Sequence, residues 1–435
     1  MSWLRYYRLR HYVQNSIWIS PVLAMVAAVG VVHLLDLLEG KLGLSSSYSP
    51  DTMRTVLGTL AGAMFTFIVF ICSSLLLVVQ LASAQLTPRI IGVLFRDSVI
   101  KLTLALFTFT FSFAIAVLLR IGDTVPPLTA HIAAWSSAAS ICVFLYLIDH
   151  VGKMLRPSGA LRSVASQAHE VINSVYPRRL RDSLDHMPAP SLPPVAVARV
   201  ITSSTDGVIL AFDVKGLVAL AVRHDCVIEL APRVGNYVAP GDPLFRVYGG
   251  DTLPAELLLQ SIALGAERTM EQDPMFAIRM IVDIASKGLS PAINDPTTAV
   301  QALDRLHHLL RHIGGRRLDD EQVRDAQGRV RLLYRTPDWE DFVRLAVTEI
   351  RHFGGSSIQV ARRLRAMLEN LIETLPQERA EPLRQELTLI KKASERFFPE
   401  PEDRALADVG DDQGVGGTQS STRLPSITKN GHAHS

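Results

Sequence analysis

Four apolar runs in the first third of the chain each approach the roughly 20 residues an α-helix needs to cross a bilayer core. No other feature narrows the fold as far. They cover residues 17–38, 56–79, 102–119 and 132–148, and the second holds no charged residue. A signal peptide is a poor reading of the first. The run is long, and Leu34-Leu35-Asp36-Leu37-Leu38-Glu39 does not resemble a small-residue cleavage site. Mean hydropathy is +0.22 and net charge only +2. The bilayer is therefore the expected partner, and nucleic acid, which demands a basic surface, is not.

Lys and Arg near the ends of the runs set the expected orientation. Arg5, Arg8, Arg10, Arg89, Arg96, Lys101, Lys153, Arg156 and Arg162 flank one side; Lys41, Arg54 and Arg120 flank the other. This predicts a multi-pass protein of the plasma (inner) membrane with both termini cytoplasmic. A reducing compartment suits Cys72, Cys142 and Cys226, which are far apart and form no C-x-x-C pair. Neither a disulfide framework nor a zinc cage is expected.

The second run carries a pattern. Thr59, Thr66, Ser73 and Gln80 recur every seven residues, which is about 20° short of two full turns, so they form one slowly drifting stripe. Gly58 and Gly62 add a G-x-x-x-G spacing that permits close helix approach. Two readings stand. The hydroxyls bond their own helix and the stripe packs on a neighbour, or the stripe lines a polar conduit in a homo-oligomer. Thr103 and Thr110 repeat the seven-residue spacing in the third run, and Ser136 and Ser140 lie four apart in the fourth.

Ionisable groups gather at the ends of the runs: His33 and Asp36, then Arg120, Asp123 and His131, on one side, and Asp149 and His150 on the other. Such groups are functional candidates, or they reach the interface. The junction after the second run reads Gln85-Leu86-Thr87-Pro88-Arg89. Pro88 disfavours helix at Thr87. Arg89 is placed to anchor at the interface, to bind lipid phosphate, or to pair with Asp97 or Asp149.

The expected fold class is a four-helix membrane domain (1–157) followed by a cytoplasmic α+β domain. The latter divides into an amphipathic helix and proline-rich linker (158–194, with Pro188, Pro190, Pro193 and Pro194), a small β module (195–250), a helical domain (251–407) and a disordered tail (408–435). Strands are expected at 197–202, 208–212, 217–222 and 226–230. The stretch 234–247 resembles the G-x-x-V-x-x-G-x-x-L hairpin of lipoyl-like barrel-sandwich domains. Gly235 and Gly241 would take the turns, with Tyr237 or Val238 and Leu244 or Phe245 inside. No lysine sits on a tight hairpin, so a carrier role is not supported.

In the helical part, Asp273 precedes Pro274 and Asp295 precedes Pro296. Both match an N-cap followed by proline at the first helical position, and Thr336-Pro337 is expected to open another helix. Other readings remain open. Glu271, Asp273, Asn294 and Asp295 could converge on a small ion or ligand, since hard cations favour oxygen. Arg279, Asp283 and Arg305 could form an ion network, and the helix starts could hold an anion. His308 and His312 lie four apart but lack the glutamate of H-E-x-x-H. No metal, cofactor or catalytic residue is expected, because no nucleophile–base pair stands out.

Three segments together, Gln85-x-x-Pro88-Arg89, Ile148-Asp149-His150 and Gln272-Asp273-Pro274 with Ser290-Pro291-x-Ile293-Asn294-Asp295-Pro296-Thr297-Thr298-Ala299, resemble an uncharacterised family of predicted bacterial membrane proteins classed as a domain of unknown function. Leu86 stands where that family usually carries phenylalanine. The resemblance implies the architecture and a bacterial membrane location, and it brings no activity. The residues themselves favour an oligomeric channel or transport protein gated by its cytoplasmic domain. The alternative is a membrane-anchored sensor or scaffold that binds a ligand or partner.

Overall fold

Prolines and a capping aspartate set where the long helices begin. The computed structural model describes residues 2–42, 49–122, 127–180, 199–250, 252–318 and 322–416. The proline-rich linker and Asp123 lie outside them. The chain opens with α1 (Trp3–Asn15), α2 (Ile19–Leu42) and α3 (Pro50–Gln85), then α4 (Ile91–Phe95), α5 (Ser98–Leu118), α6 (Pro127–Met154) and α7 (Pro157–Val175). Pro50 and Pro157 occupy first-turn positions, where a missing N–H costs nothing. Asp97 caps α5, its Oδ1 accepting from the N–H groups of Val99 (2.9 Å) and Ile100 (3.1 Å).

Four of these helices, α2, α3, α5 and α6, are long and apolar enough to cross a membrane. Helix α5 is the central one. Within its apolar stretch 44% of the residues are buried, against 22% in those of α3 and α6, and its Phe107 and Phe113 are fully enclosed. The others show most of their apolar surface outward, which is favourable only in hydrocarbon. Helix α3 has 36 residues and so spans about 54 Å, well beyond the ~30 Å hydrocarbon core. On the side away from the C-terminal domain, Arg120 pairs with Asp36 at 2.5 Å and meets His33 at 2.7 Å. There Glu39 accepts from the Leu128 and Thr129 amides at the start of α6.

The C-terminal domain holds two open sheets, not the lipoyl-like barrel expected. Its elements are β1 (Arg199–Thr202), β2 (Gly207–Phe212), α8 (Val214–Arg223), β3 (Val227–Leu230), β4 (Tyr237–Val238), β5 (Pro243–Tyr248), α9 (Ala255–Leu259), β6 (Ile262–Gly265), β7 (Gln322–Arg324) and β8 (Val330–Tyr334). One sheet runs β1-β5-β3-β8-β7 and the other β4-β2-β6. The pair β3–β8 is parallel, while the other pairs are antiparallel. Gly235 and Gly241 take positive φ as expected, +86° and +94°, and Val238, Leu244 and Phe245 point inward while Tyr237 does not. However, β4 and β5 enter different sheets, so the hairpin closes no barrel. Both sheets share one core, with Ile209, Phe212 and Val238 from one and Ile228, Leu244 and Phe245 from the other.

The strand expected at 217–222 is helix α8. Asp213 caps it by accepting from the Gly216 amide at 2.9 Å, and Leu217 and Ala221, one turn apart, are fully buried. Strands β6, β7 and β8 fall in the stretch expected to be wholly helical: β6 and β7 are sheet edges, and β8 lies between β3 and β7.

The helical part contains α10 (Pro274–Gly288), α11 (Pro296–Gly314), α12 (Trp339–Gly354), α13 (Ile358–Thr374), α14 (Ala380–Phe397) and α15 (Pro401–Ala407). Asp273 and Asp295 cap α10 and α11 as expected, accepting from the Phe276 (3.0 Å) and Thr298 (3.1 Å) amides. Helix α12 begins not at Thr336-Pro337 but after Asp338, which forms a reciprocal capping box with Asp341. Helix α7 is part of this core: Leu161, Val164, Ala168 and Ile172 are completely buried against α10 and α11. Ala82, Leu86, Ile90 and Val93 belong to the same core, so the end of α3 packs directly into the C-terminal domain. Residues 409–416, expected to be disordered, are held in place. Buried Asp411 accepts from the Gln413, Gly414 and Gly416 amides, while buried Arg362 donates to the Val409 and Gly416 carbonyls. Residues 417–435 lie outside the described residues.

Candidate functional site at the membrane–domain junction

The polar stripe of α3 faces away from the rest of the chain. Thr59, Thr66, Ser73 and Gln80 are all exposed. Thr59 and Thr66 return their hydroxyls to the carbonyls of Thr55 and Gly62, each at 2.9 Å. A Cβ added at Gly58 or Gly62 would meet nothing within 4 Å. The stripe therefore packs on no neighbour among the described residues. The small polar groups of α5 and α6 behave oppositely. Thr103, Thr110 and Ser140 are buried, and the Thr110 and Ser140 hydroxyls meet at 3.2 Å to join the two helices.

Beyond α3 the chain turns sharply. Residues Pro88–Ile90 form one 3-10 turn, with Thr87 accepting from the Arg89 amide. Gln85, Pro88 and Arg89 are exposed. Arg89 pairs with neither Asp97 nor Asp149. It is ion-paired to Asp283 on α10, which also takes Arg279 Nε at 2.6 Å. Arg279 in turn reaches Glu349 on α12, with Nη2 2.7 Å from Oε2. That bond holds Arg279 above its ordinary pKa and Glu349 below its own. A chain of alternating charges thus runs from the end of α3 across α10 to α12, and Arg305 takes no part in it. The Arg89 guanidinium also lies 5.8 Å from the Phe276 ring centre. Asp97 accepts instead from His150 at 3.0 Å, tying the start of α5 to the end of α6, and Asp149 holds Lys153 at 2.5 Å.

Glu271 is a second junction. Its Oε1 meets His11 Nδ1 at 2.9 Å and Arg96 Nη2 at 3.0 Å. Asn15 bridges these partners, with Nδ2 2.7 Å from His11 Nε2 and Oδ1 2.6 Å from Arg96 Nε. Burial alone would raise the Glu271 pKa, but His11, Tyr7 and Arg96 outweigh it and bring the carboxyl down to about 2. Burial and the same carboxylate push the Tyr7 phenol upward. His11 carries no signal of this role in the sequence, and Arg96 stands out there only as a positive charge near a span. The available signal was the i,i+4 series Trp3, Tyr7, His11, whose rings stack at 5.2 and 6.0 Å.

Asp273 is nearly enclosed and is held by Arg268 Nε (2.9 Å) and Nη2 (2.6 Å). Burial still leaves its pKa raised, against the pull of Arg268. Gln272, Asp273, Tyr176, Phe212, Tyr334 and Thr336 line a cleft of about 130 Å3 between the helical core and the sheets. The Gln272 amide is fixed on both backbone groups of Phe212, at 3.1 and 3.3 Å. Asn294, at φ +48°, and Asp295 lie beyond the other end of α10. Fifteen helical residues put about 22 Å between the two ends, so the four oxygen-bearing residues do not converge. Among the described residues, no group of three or more His, Cys, Asp or Glu is placed to hold a metal ion. His312 does stack on His169 at 3.9 Å between ring centres.

A family model described as a predicted membrane protein (DUF2254) matches residues 14–370. Uncharacterised proteins of Mycobacterium bovis and Mycobacterium tuberculosis are each 26% identical over 418 residues, covering 91% of this chain and 79% of theirs. No solved structure matches.

Proposed function

The chain belongs to the predicted membrane protein (DUF2254) family, and from that premise we propose a homo-oligomeric channel or transport protein, bordered by α3 and gated by its C-terminal domain. One observation carries the reading: Thr59, Thr66, Ser73 and Gln80 share the outward face of α3 with the unobstructed Gly58 and Gly62. Small and polar residues are what spans present to one another, because backbones can then approach and hydroxyls can bond. In this reading the stripe meets its copies around an axis, with both termini in the cytoplasm of a bacterial inner membrane. Coupling to the gate would run through Leu86, Ile90 and Val93 in the shared core and through the Arg89–Asp283 pair.

The test is paired. Thr66→Cys in a background lacking Cys72 and Cys142 is oxidised in native membranes, and ion or solute flux is followed in liposomes. Disulfide-linked multimers together with flux support the reading. A monomer with no flux under any ionic or osmotic condition sinks it.

The cleft beside Asp273 supports a second reading, in which the C-terminal domain senses a small ligand. A metabolite panel that produces no thermal shift in the wild type would remove it.

A further inference from the structure

We propose that α1 is an interfacial helix that seats the junction on anionic lipid, with one face held by the C-terminal domain and the opposite face lying in the membrane surface. At about 100° per residue, Trp3, Tyr7 and His11 share one face. That face is the docked one: α1 lies against β6, and His11 meets Glu271 at 2.9 Å. Tyr6, Leu9, Tyr12 and Val13 share the opposite face, and all four are exposed. Arg5 falls among them, and Arg8 and Arg10 fall at the two edges of the face. All three arginines are exposed and form no ion pair among the described residues.

The position of the helix chooses the occupant of this face. Only residues 16–18 separate α1 from the first span, so its end lies within about 14 Å of α2. Lys101, in the first turn of α5, donates to the Gln14 carbonyl, and its own carbonyl accepts from Ser20. The end of α1 is therefore level with the starts of two spans. The docked face is taken by the C-terminal domain, which leaves the opposite face as the one available to the bilayer. Trp18, exposed and edge-on to Tyr12 at 6.4 Å, continues an aromatic belt of the kind that lies at headgroup level. Apolar side chains flanked by arginines that can extend to phosphate are the composition of a helix lying in the interface. The three unpaired arginines, with Lys101 nearby, favour an anionic headgroup over a zwitterionic one.

The experiment uses the full chain with Cys72→Ala and Cys142→Ala, leaving the buried Cys226 in place. A nitroxide is attached at Leu9→Cys, and a reference nitroxide at Lys391→Cys on the exposed side of α14. The chain is reconstituted in phosphatidylcholine with and without phosphatidylglycerol. Collision with oxygen, which enters lipid, is compared with collision with a water-soluble nickel chelate. With phosphatidylglycerol, the label at position 9 is expected to favour oxygen, while the reference favours nickel. Removing phosphatidylglycerol, or replacing Arg5, Arg8 and Arg10 by Gln, is expected to raise nickel access at position 9 about twofold or more. Three results overturn the proposal: nickel access at position 9 equal to the reference; a lipid-buried label indifferent to phosphatidylglycerol and to the three arginines; or a label shielded from both reagents, which would mean a protein surface covers the face.

Discussion

Arg89, the central residue of the turn after α3, is ion-paired to Asp283 in the middle of α10, 194 residues away in the chain. The two ends of this contact differ in what they hold. Arg89 is half exposed and also rests on Phe276, whereas Asp283 is mostly buried and holds Arg279 as well.

Arg89→Gln is therefore expected to cost about 1 kcal/mol, as a partly exposed pair does. Asp283→Asn is expected to cost more, about 2 kcal/mol, because two charge-assisted bonds weaken together. Melting temperatures in detergent should fall in that order. Amide exchange at the end of α3 should quicken in both variants, and equal exchange to wild type would show that the pair does not fasten α3 to α10.

Glu271→Ala is expected to cost about 2 kcal/mol at neutral pH by removing charged hydrogen bonds and to free α1, read as faster amide exchange over residues 3–15. The pH dependence has a defined sign. The folded carboxyl titrates at about 2 against an ordinary 4.5, so the folded chain binds fewer protons than the unfolded one in between. Its stabilisation is complete above pH 4.5 and is lost as pH falls toward about 2. That loss should be absent in Glu271→Ala.

His312 runs the same way for a different reason. Burial, then His169, Arg316, His308 and Arg179, depress its pKa from 6.5 to about 4, and Asn173 bonds its Nε2 at 2.8 Å. Between those two values the unfolded chain holds the extra proton, so stability is complete above pH 6.5 and falls as the pH drops toward about 4. The melting temperature of the wild type should fall between pH 7 and pH 5 by more than that of His312→Gln. Parallel curves would show that the imidazole stack does not sense acid.

The two Asp-Pro helix starts should respond unequally. Asp295→Ala removes a cap and is expected to cost about 1 kcal/mol. Asp273→Ala removes a cap and also strips Arg268 of its partner next to a buried site, so about 3 kcal/mol is expected. Chemical denaturation of the two variants in one detergent provides the comparison, and equal losses would reduce Asp273 to a cap.

What was legible in the sequence is what neighbouring residues decide. Apolar length marked the four spans, and Asp-Pro pairs marked the starts of α10 and α11, since a cap acts over three residues. Short apolar runs are ambiguous in period. The segment 217–222 therefore looks like a strand, while the cap at Asp213 that makes it a helix lies just outside the run. Partners distant in the chain left no local trace. The parallel pairing of β3 with β8, the bond from Arg89 to Asp283 and the docking of His11 on Glu271 depend on how elements meet in space. Arg96 was legible as a positive charge near a span, but its partner was not. The residues 409–416 look disordered by composition and are ordered by Arg362, a residue on α13.

Helix α7 starts three residues after α6 ends, yet it is enclosed by the core it helps to build. The last span and the inner wall of the C-terminal domain are thus made consecutively at the ribosome. The apolar flank of α7, with Leu161, Val164 and Ile172, emerges long before α10, α11 and α12 are synthesised to cover it. Chain order thus makes α7, next to the membrane part, available as a surface on which the later helices can pack. A fragment begun in the proline-rich linker would lack α7 and expose the groove it fills, and one begun at Pro157 would still leave bare the patch that Leu86, Ile90 and Val93 cover.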